Sequence, residues 1–174
     1  MYCIVDTERI HGNEIYLLSY QLYDEGFNLV ESKTYQDTSI DLSNRKAPRR
    51  KVELLDNQTI KVGSFTMLYE AVREKLQCGL LIVFSITDVR IFKSNCKDSG
   101  ILYNKLRVLD LQEILHELST DKKGKSNLKD YCYAHGIKHE PHIPESDCAA
   151  TMKVYQNLLD EFGVEFLENK IEVM

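Results

Sequence analysis

Alternation of apolar and polar residues dominates the start of the chain. Three segments have this pattern: residues 2–10, 14–24 and 27–37. The turn-forming pairs Gly12-Asn13 and Glu25-Gly26 separate them. A period of two is typical of β-strands, and short turns containing Gly or Asn connect antiparallel neighbours. The pattern therefore predicts a three-stranded antiparallel meander.

A helical period appears after residues 38–63, which show no periodicity and are interpreted as irregular. Ser64 is a candidate N-cap for a helix with apolar residues at positions 65, 68, 72 and 76. The run GLLIVFS, residues 79–85, is typical of a buried strand. The pattern has changed from strands alone to helices alternating with strands.

The rest of the chain consists of short, well-delimited elements. Helices are predicted over residues 88–96 and 112–119, with a fifth strand over 107–111 between them. A further helix is predicted between a Ser126 cap and a Gly136 stop. From about residue 145 to residue 162, apolar positions step by four and three, which marks one face of a last helix.

These elements indicate an α/β fold. The predicted architecture is a mixed five-stranded sheet, an antiparallel meander extended by parallel strands, with helices on its faces. A length of 174 residues suits a single domain over residues 1–174.

Composition excludes several classes of protein. With 43% hydrophobic and 28% charged residues, the chain is an ordinary globular one. It has no apolar run of membrane-spanning length and no N-terminal leader pattern, so we expect a cytoplasmic protein without a membrane partner. The five cysteines form no C-x-x-C pair, and we expect reduced, mostly buried thiols.

Charge leaves the choice of partner open. The net charge is -5, which gives no global attraction to nucleic acid. The segment SNRKAPRRK concentrates positive charge in a loop, and Arg45, Arg49 and Arg50 are candidates for tracking a phosphate backbone. A solvated loop without a ligand is an equally good interpretation.

The first predicted strand contains two acidic residues, which is unusual for a central strand. Asp6 and Glu8 are two positions apart and therefore on one face, with Val5 and Thr7 on the other. Paired acids on a central strand cost desolvation energy unless cations neutralise them, and a hard divalent metal is the natural candidate. The pair alone is weak evidence, since among 27 acidic residues about one D-x-E arises by chance.

Two later positions extend this acidic set. Asp88 follows the buried strand at its carboxyl end, where open α/β sheets bind ligands; a helix cap or a solvated residue is the alternative. His142 precedes Asp147 by five positions. That spacing is not diagnostic, because His116 and Asp121 share it. Context distinguishes the pairs, since only His142 lies in a Pro141/Pro144-bracketed loop before a helix.

The ordered set Asp6-x-Glu8, Asp88 and His142-x4-Asp147 resembles the three motifs of the DEDDh 3′-5′ exonucleases, the family of the polymerase III epsilon subunit and ribonuclease T. The resemblance covers nearly the whole chain. It implies a ribonuclease H-like fold and a phosphodiester hydrolase that releases nucleoside 5′-monophosphates from the 3′ ends of single-stranded DNA or RNA. A polymerase or a second copy of the chain stays open as an additional partner.

The same resemblance implies a site and its cofactors. The four carboxylates would hold two divalent cations, Mg²⁺ or Mn²⁺, with Asp6 bridging them. Glu8 and Asp147 would hold the ion that carries the nucleophilic water, and Asp88 would support the second. His142 would be the general base, as a neutral imidazole near pH 7.

Two departures from the family pattern concern substrate contacts. Arg9 stands where a small hydroxyl-bearing residue is usual, and the segment beginning with Phe84 replaces the His-Asn that commonly precedes the second-motif aspartate. Thr7, Arg9 and Phe84 are nevertheless candidate substrate contacts. These departures affect the expected substrate preference more than the expected hydrolysis.

Other side chains favour structural interpretations. The aromatic residues Tyr16, Tyr20, Tyr23, Phe84 and Phe92 could include a base-stacking platform, but core packing is expected for most. His135 and His139 lack partners at zinc spacing and are interpreted as a polar helix end and loop.

Two alternatives to an exonuclease remain. A non-catalytic nucleic-acid or polymerase-binding module would keep the fold and bind ends without releasing nucleotides. A ribonuclease H-like endonuclease would share the metal chemistry but cut closed circular substrates, which a pure exonuclease does not.

Overall fold

The computed structural model describes residues 1–10, 13–42, 59–119 and 127–174. Seven strands form one sheet: β1 (Tyr2–Arg9), β2 (Ile15–Tyr23), β3 (Leu29–Asp37), β4 (Thr59–Val62), β5 (Leu80–Val83), β6 (Arg107–Asp110) and β7 (Glu172–Val173). Five helices cover its faces: α1 (Phe65–Leu76), α2 (Ile86–Asp98), α3 (Leu111–Leu118), α4 (Leu128–Ala134) and α5 (Pro144–Glu168). No helix within these ranges is long and apolar enough to cross a membrane.

The sheet is mixed, with strand order β4-β3-β2-β1-β5-β6-β7. β2 pairs antiparallel with both β1 and β3, which confirms the predicted meander. β5 pairs parallel with β1 and β6 pairs parallel with β5. β1 is therefore central, and its carboxyl end lies at the same edge as the carboxyl end of β5.

Alternate residues of β1 face two separate cores. Cys3 and Val5 belong to a core that includes residues of α1 and α2. Ile4 belongs to the opposite core, which includes residues of α3 and α5. The period of two along β1 therefore distributes its side chains between two helical layers.

Local sequence explains where most helices begin. The side chains of Ser64, Ser85 and Asp110 accept hydrogen bonds from backbone N–H groups in the first turns of α1, α2 and α3. Asn127 caps α4, rather than the predicted Ser126, which lies outside the described residues. Gly136, with φ 64°, follows the last turn of α4 and confirms the predicted stop.

The sequence-based predictions need three corrections of extent. The sheet has seven strands rather than five, because short β4 and β7 pair at its edges. Part of the segment 38–63 is therefore ordered as β4. The last helix continues past residue 162, although Gly163 interrupts its helical geometry with φ 80°. The prediction of one domain over residues 1–174 stays a prediction.

The cysteines and aromatic residues match their predicted structural roles. All five cysteines are free, and all except Cys78 are buried. Tyr20, Tyr23 and Phe92 are buried core residues, as expected of most of the aromatic set. His116 lies inside α3, whereas Asp121 lies outside the described residues.

Gly79 permits close contact between the start of β5 and the first residue of the chain. A Cβ atom at this position would lie 2.1 Å from the backbone oxygen of Met1. We expect Gly79→Ala to lower the free energy of unfolding by about 1–3 kcal/mol, the usual cost of overpacking. In the matched variant Gly63→Ala the added Cβ lies 3.5 Å from the Met67 sulfur, an ordinary contact distance. The free energy of unfolding of this variant should differ from that of the wild type by less than about 0.5 kcal/mol. Urea unfolding measures the free energy of unfolding of both variants. Equal values would show that the close contact at Gly79 does not require a glycine.

Candidate active site

Three carboxylates converge at the carboxyl end of β1. Asp6 and Glu8 project from the face of β1 that is covered by α5, as the period of two predicts, and Asp147 projects from the first turn of α5. One oxygen of each residue lies within 4.8 Å of the oxygens of the other two. The structure thus brings together residues separated by about 140 positions in sequence, three of the four predicted acids.

Polar contacts attach the start of α5 to the meander and so position Asp147. The Thr34 hydroxyl donates a 2.6 Å hydrogen bond to Glu145 Oε1. The Gln21 amide donates to the Glu145 carbonyl oxygen, and the Tyr23 hydroxyl donates to Gln21 Oε1 at 2.7 Å. Glu145 is therefore bound to two strands, two residues before Asp147.

The residue after Asp147 also attaches α5 to the sheet. Cys148 is fully buried, and its thiol donates a weak hydrogen bond to the backbone oxygen of Ser19 at 3.7 Å. Burial raises the pKa of this thiol well above its usual range, so it remains neutral next to the acids. Cys148 acts as a small apolar residue beneath the acidic cluster.

The electrostatic environment of Asp6 is unfavourable to its charge. Its Oδ2 is buried and has no hydrogen-bond partner among the described residues. Burial is the main cause that raises the pKa of this carboxyl well above its usual value, and the charges of Asp88, Asp147 and Glu8 raise it further. The acids crowd negative charge around Asp6, and a bound cation would offset it.

Asp88 reaches this end of β1 from the other face of the sheet. It lies in the first turn of α2, for which Ser85 and not Asp88 is the N-cap. The Thr7 hydroxyl donates a 2.6 Å hydrogen bond to Asp88 Oδ1. Burial raises the pKa of the Asp88 carboxyl, while this bond and the nearby Arg9 act in the opposite direction. Asp88 therefore lies beside the three-carboxylate cluster, and the negative charge of Asp88 raises the pKa of Asp6.

The predicted substrate contacts occupy different places. Thr7 is buried and bound to Asp88. Arg9 is exposed at the end of β1, where its guanidinium donates to Asn13 Oδ1 at 3.3 Å. Phe84 packs partly buried against the core of α3 and α5. The predicted contacts Arg45, Arg49 and Arg50 lie outside the described residues.

His142 is the exposed histidine of the site. Its side chain is 70% exposed, and its Nδ1 lies 3.6 Å from Glu8 Oε1. Its backbone φ is 64°, a left-handed conformation that non-glycine residues rarely adopt. A strained residue with an accessible imidazole beside the acidic cluster is typical of a functional position.

His139 is the buried histidine of the site. It lies in a loop, as the sequence predicted, but the contact of its side chain with Asp147 was not predicted. Its Nε2 lies 2.5 Å from Asp147 Oδ1, and its side chain is 5% exposed. Burial raises the pKa of the Asp147 carboxyl, and the bond to His139 opposes that rise. The eight-residue separation follows no motif, so only the folded loop reveals the pair.

The chemistry of the donor set fits divalent metal ions. Carboxylate oxygens are the ligands that Mg²⁺ and Mn²⁺ prefer, and the cluster offers three of them. The buried Oδ2 of Asp6 lacks any other partner among the described residues. Asp6, Glu8 and Asp147 are therefore the residues that could hold a cation.

The conformation of His142 predicts a difference between two substitutions. Glycine adopts positive φ without strain, whereas alanine carries the left-handed cost of about 1–2 kcal/mol, partly offset by the flexibility of unfolded glycine. We expect His142→Gly to be more stable than His142→Ala by about 1 kcal/mol. Urea unfolding at pH 7 measures the difference. A more stable alanine variant would show that residue 142 does not adopt this backbone conformation.

The crowded carboxylates predict that Asp6→Asn stabilises the metal-free protein. The folded state raises the pKa of Asp6, so it holds a proton longer than the unfolded chain does, and the unfavourable charge appears as pH rises from about 4. With EDTA at pH 7 we expect a gain of about 1–2 kcal/mol, shrinking towards pH 4. The control Asp160→Asn, an exposed acid of α5, should change stability by less than about 0.5 kcal/mol. A loss of stability in Asp6→Asn would contradict the proposed electrostatics.

Solved nuclease structures share this fold, among them two that align with nearly the whole chain. One is the nuclease domain of 3'hExo, a DEDDh family member, bound to rAMP, with a TM-score of 0.71 and 13% identity over 99% of this chain and 95% of that one. The other shows 3'-end specific recognition of a histone mRNA stem-loop by a 3'-exonuclease, with a TM-score of 0.68 and 11% identity over 99% of this chain and 88% of that one. No protein-family model and no curated protein matches the sequence. The predicted ribonuclease H-like α/β architecture is confirmed, and the chain has the fold of a DEDDh exonuclease domain.

Proposed function

We infer that the protein is a metal-dependent 3′-5′ exonuclease, which hydrolyses the terminal phosphodiester of single-stranded DNA or RNA and releases nucleoside 5′-monophosphates. One observation carries this conclusion: carboxylate oxygens of Asp6, Glu8 and Asp147 lie within 4.8 Å of one another at the carboxyl end of β1, where Asp6 Oδ2 is buried without a hydrogen-bond partner among the described residues. The fold shared with nuclease domains supports the same chemistry.

The acidic residues hold the cofactors in this proposal. Two divalent cations, Mg²⁺ or Mn²⁺, supply charge stabilisation to the attacking and leaving oxygens when bound. Asp6, Glu8 and Asp147 are the ligands that the cluster brings together. Asp88 is the fourth predicted ligand, and its carboxylate is oriented by Thr7 on the other side of β1.

His142 is the proposed general base. A neutral imidazole can accept a proton from the attacking water. The exposed position of His142 beside Glu8 gives the ring access to a water molecule that approaches the cluster from solvent. His139 lacks this access, since it is buried against Asp147.

Substrate contacts are proposed at the open edge of the site. Arg9 offers an exposed cation at the end of β1, suited to a phosphate oxygen. The segment from Arg45 to Arg50 supplies positive charge in the sequence for the strand beyond the terminal nucleotide. The neighbours were solved with rAMP and with a histone mRNA stem-loop, so RNA 3′ ends are the first substrates to test.

One observation favours the non-catalytic alternative. The segment from Phe84 to Asp88 lacks the His-Asn that commonly precedes the second-motif aspartate in the DEDDh family, so the second motif differs from its usual form. A protein of this kind would bind 3′ ends without cleaving them. Nucleotide release separates the two functions directly.

The proposal predicts that Asp6→Asn and Asp147→Asn abolish nucleotide release. Metal-ion catalysis contributes several kcal/mol, so we expect a fall of about 10³-fold in the rate. The assay uses single-stranded RNA and DNA with a labelled 3′ end, a blocked 3′ end or a closed circle, with Mg²⁺ or Mn²⁺. Asp160→Asn, on the same helix as Asp147, is the matched control and should keep full activity.

Three outcomes would contradict the exonuclease. Full activity in both site variants would remove the metal cluster from the mechanism. Cleavage of closed circles would indicate an endonuclease. Binding of 3′ ends by the wild type without nucleotide release, in either metal, would indicate the non-catalytic module.

A further inference from the structure

His139 lies in the loop that joins α4 to α5, residues 135–143. This loop is attached to the first turn of α5, because the backbone N–H of Glu140 donates a 2.8 Å hydrogen bond to the Ser146 hydroxyl. The N–H of Ile143 donates to the Glu140 carbonyl oxygen and closes a turn. The loop and the start of α5 therefore form one connected unit around Asp147.

The contact between His139 and Asp147 is short and shielded from water. The ring nitrogen Nε2 and the carboxylate oxygen Oδ1 are 2.5 Å apart, and the two side chains are 5% and 11% exposed. A neutral imidazole that carries its proton on Nε2 donates this hydrogen bond. The bond engages one of the two carboxylate oxygens and restricts rotation of the Asp147 side chain.

We propose that His139 is a positioning residue that fixes the Asp147 carboxylate in the orientation required to bind a divalent cation together with Asp6 and Glu8. The inference rests on the proposed metal-dependent function and deepens it. Hydrogen-bonding partners of metal ligands hold those ligands in one orientation, and their loss typically lowers metal affinity about 10- to 100-fold. His139 would have this role through Asp147 alone, without contacting the substrate.

The two histidines of the loop then have separate roles. His142 is exposed to solvent beside Glu8, whereas His139 is enclosed and bound to the Asp147 carboxylate. Substitution of His142 should lower the turnover number and leave metal affinity unchanged. Substitution of His139 should lower metal affinity and leave turnover at saturating metal nearly unchanged.

The test compares His139→Leu with His139→Gln. Leucine fills the buried space without a donor, and glutamine places an amide N–H close to the position of Nε2. Calorimetric titration of the metal-free protein with Mn²⁺, without nucleic acid, measures affinity directly. We expect His139→Leu to bind Mn²⁺ about 10- to 100-fold more weakly and His139→Gln to recover most of the loss. The control His135→Gln alters an exposed histidine that stacks on Tyr131 and should bind as wild type does.

A second readout separates positioning from a purely structural role. The dependence of nuclease rate on Mn²⁺ concentration should shift to higher concentration in His139→Leu, with the rate at saturation restored to within a few-fold of wild type. Unchanged Mn²⁺ affinity in a folded His139→Leu, or equal affinity loss in the glutamine variant, would overturn the proposal. Failure of the wild type to bind Mn²⁺ would instead overturn the proposed function itself.

Discussion

Repulsion among carboxylates acts against the packing of α5 on the sheet at the end of β1. The fold holds Asp6, Glu8 and Asp147 with oxygens within 4.8 Å of one another, and one oxygen of Asp6 is buried without a hydrogen-bond partner among the described residues. Such an arrangement opposes folding unless other contacts hold α5 on the sheet. The bonds of Thr34 and Gln21 to Glu145, together with the buried Cys148, supply that attachment. The proposed divalent cations would offset this repulsion when bound.

β1 contributes to the site on both faces of the sheet, because successive side chains along a strand point to opposite faces. One face presents Asp6 and Glu8 towards α5, and the other presents Thr7 towards Asp88 in α2. A carboxylate on the far side of the strand is thus held close enough to influence the charge of Asp6. A single strand in the middle of the sheet therefore organises acids contributed by two helical layers.

Periodicity predicted most of the fold, because a long apolar pattern with one period is compatible with one type of secondary structure. The meander and the apolar stripes of α1 and α5 follow directly from spacing. Strands β4 and β7 were not predicted, since four and two residues are too few to show a period, and they depend on pairing with β3 and β6. The acidic set was predicted because its order along the chain resembles the motifs of the DEDDh exonucleases. The contact of His139 with Asp147 was not predicted, because it arises from the fold of an irregular loop.

Crystallography of the protein with Mn²⁺ shows whether the three carboxylates bind a metal ion, because anomalous scattering locates the ion independently of any assay. We expect an anomalous peak coordinated by carboxylate oxygens of Asp6, Glu8 and Asp147, with His139 still bonded to Asp147. In Asp6→Asn crystals grown under the same conditions the peak should weaken or disappear. Anomalous density at other positions, with none among these three carboxylates, would contradict the assignment of this cluster as the metal site.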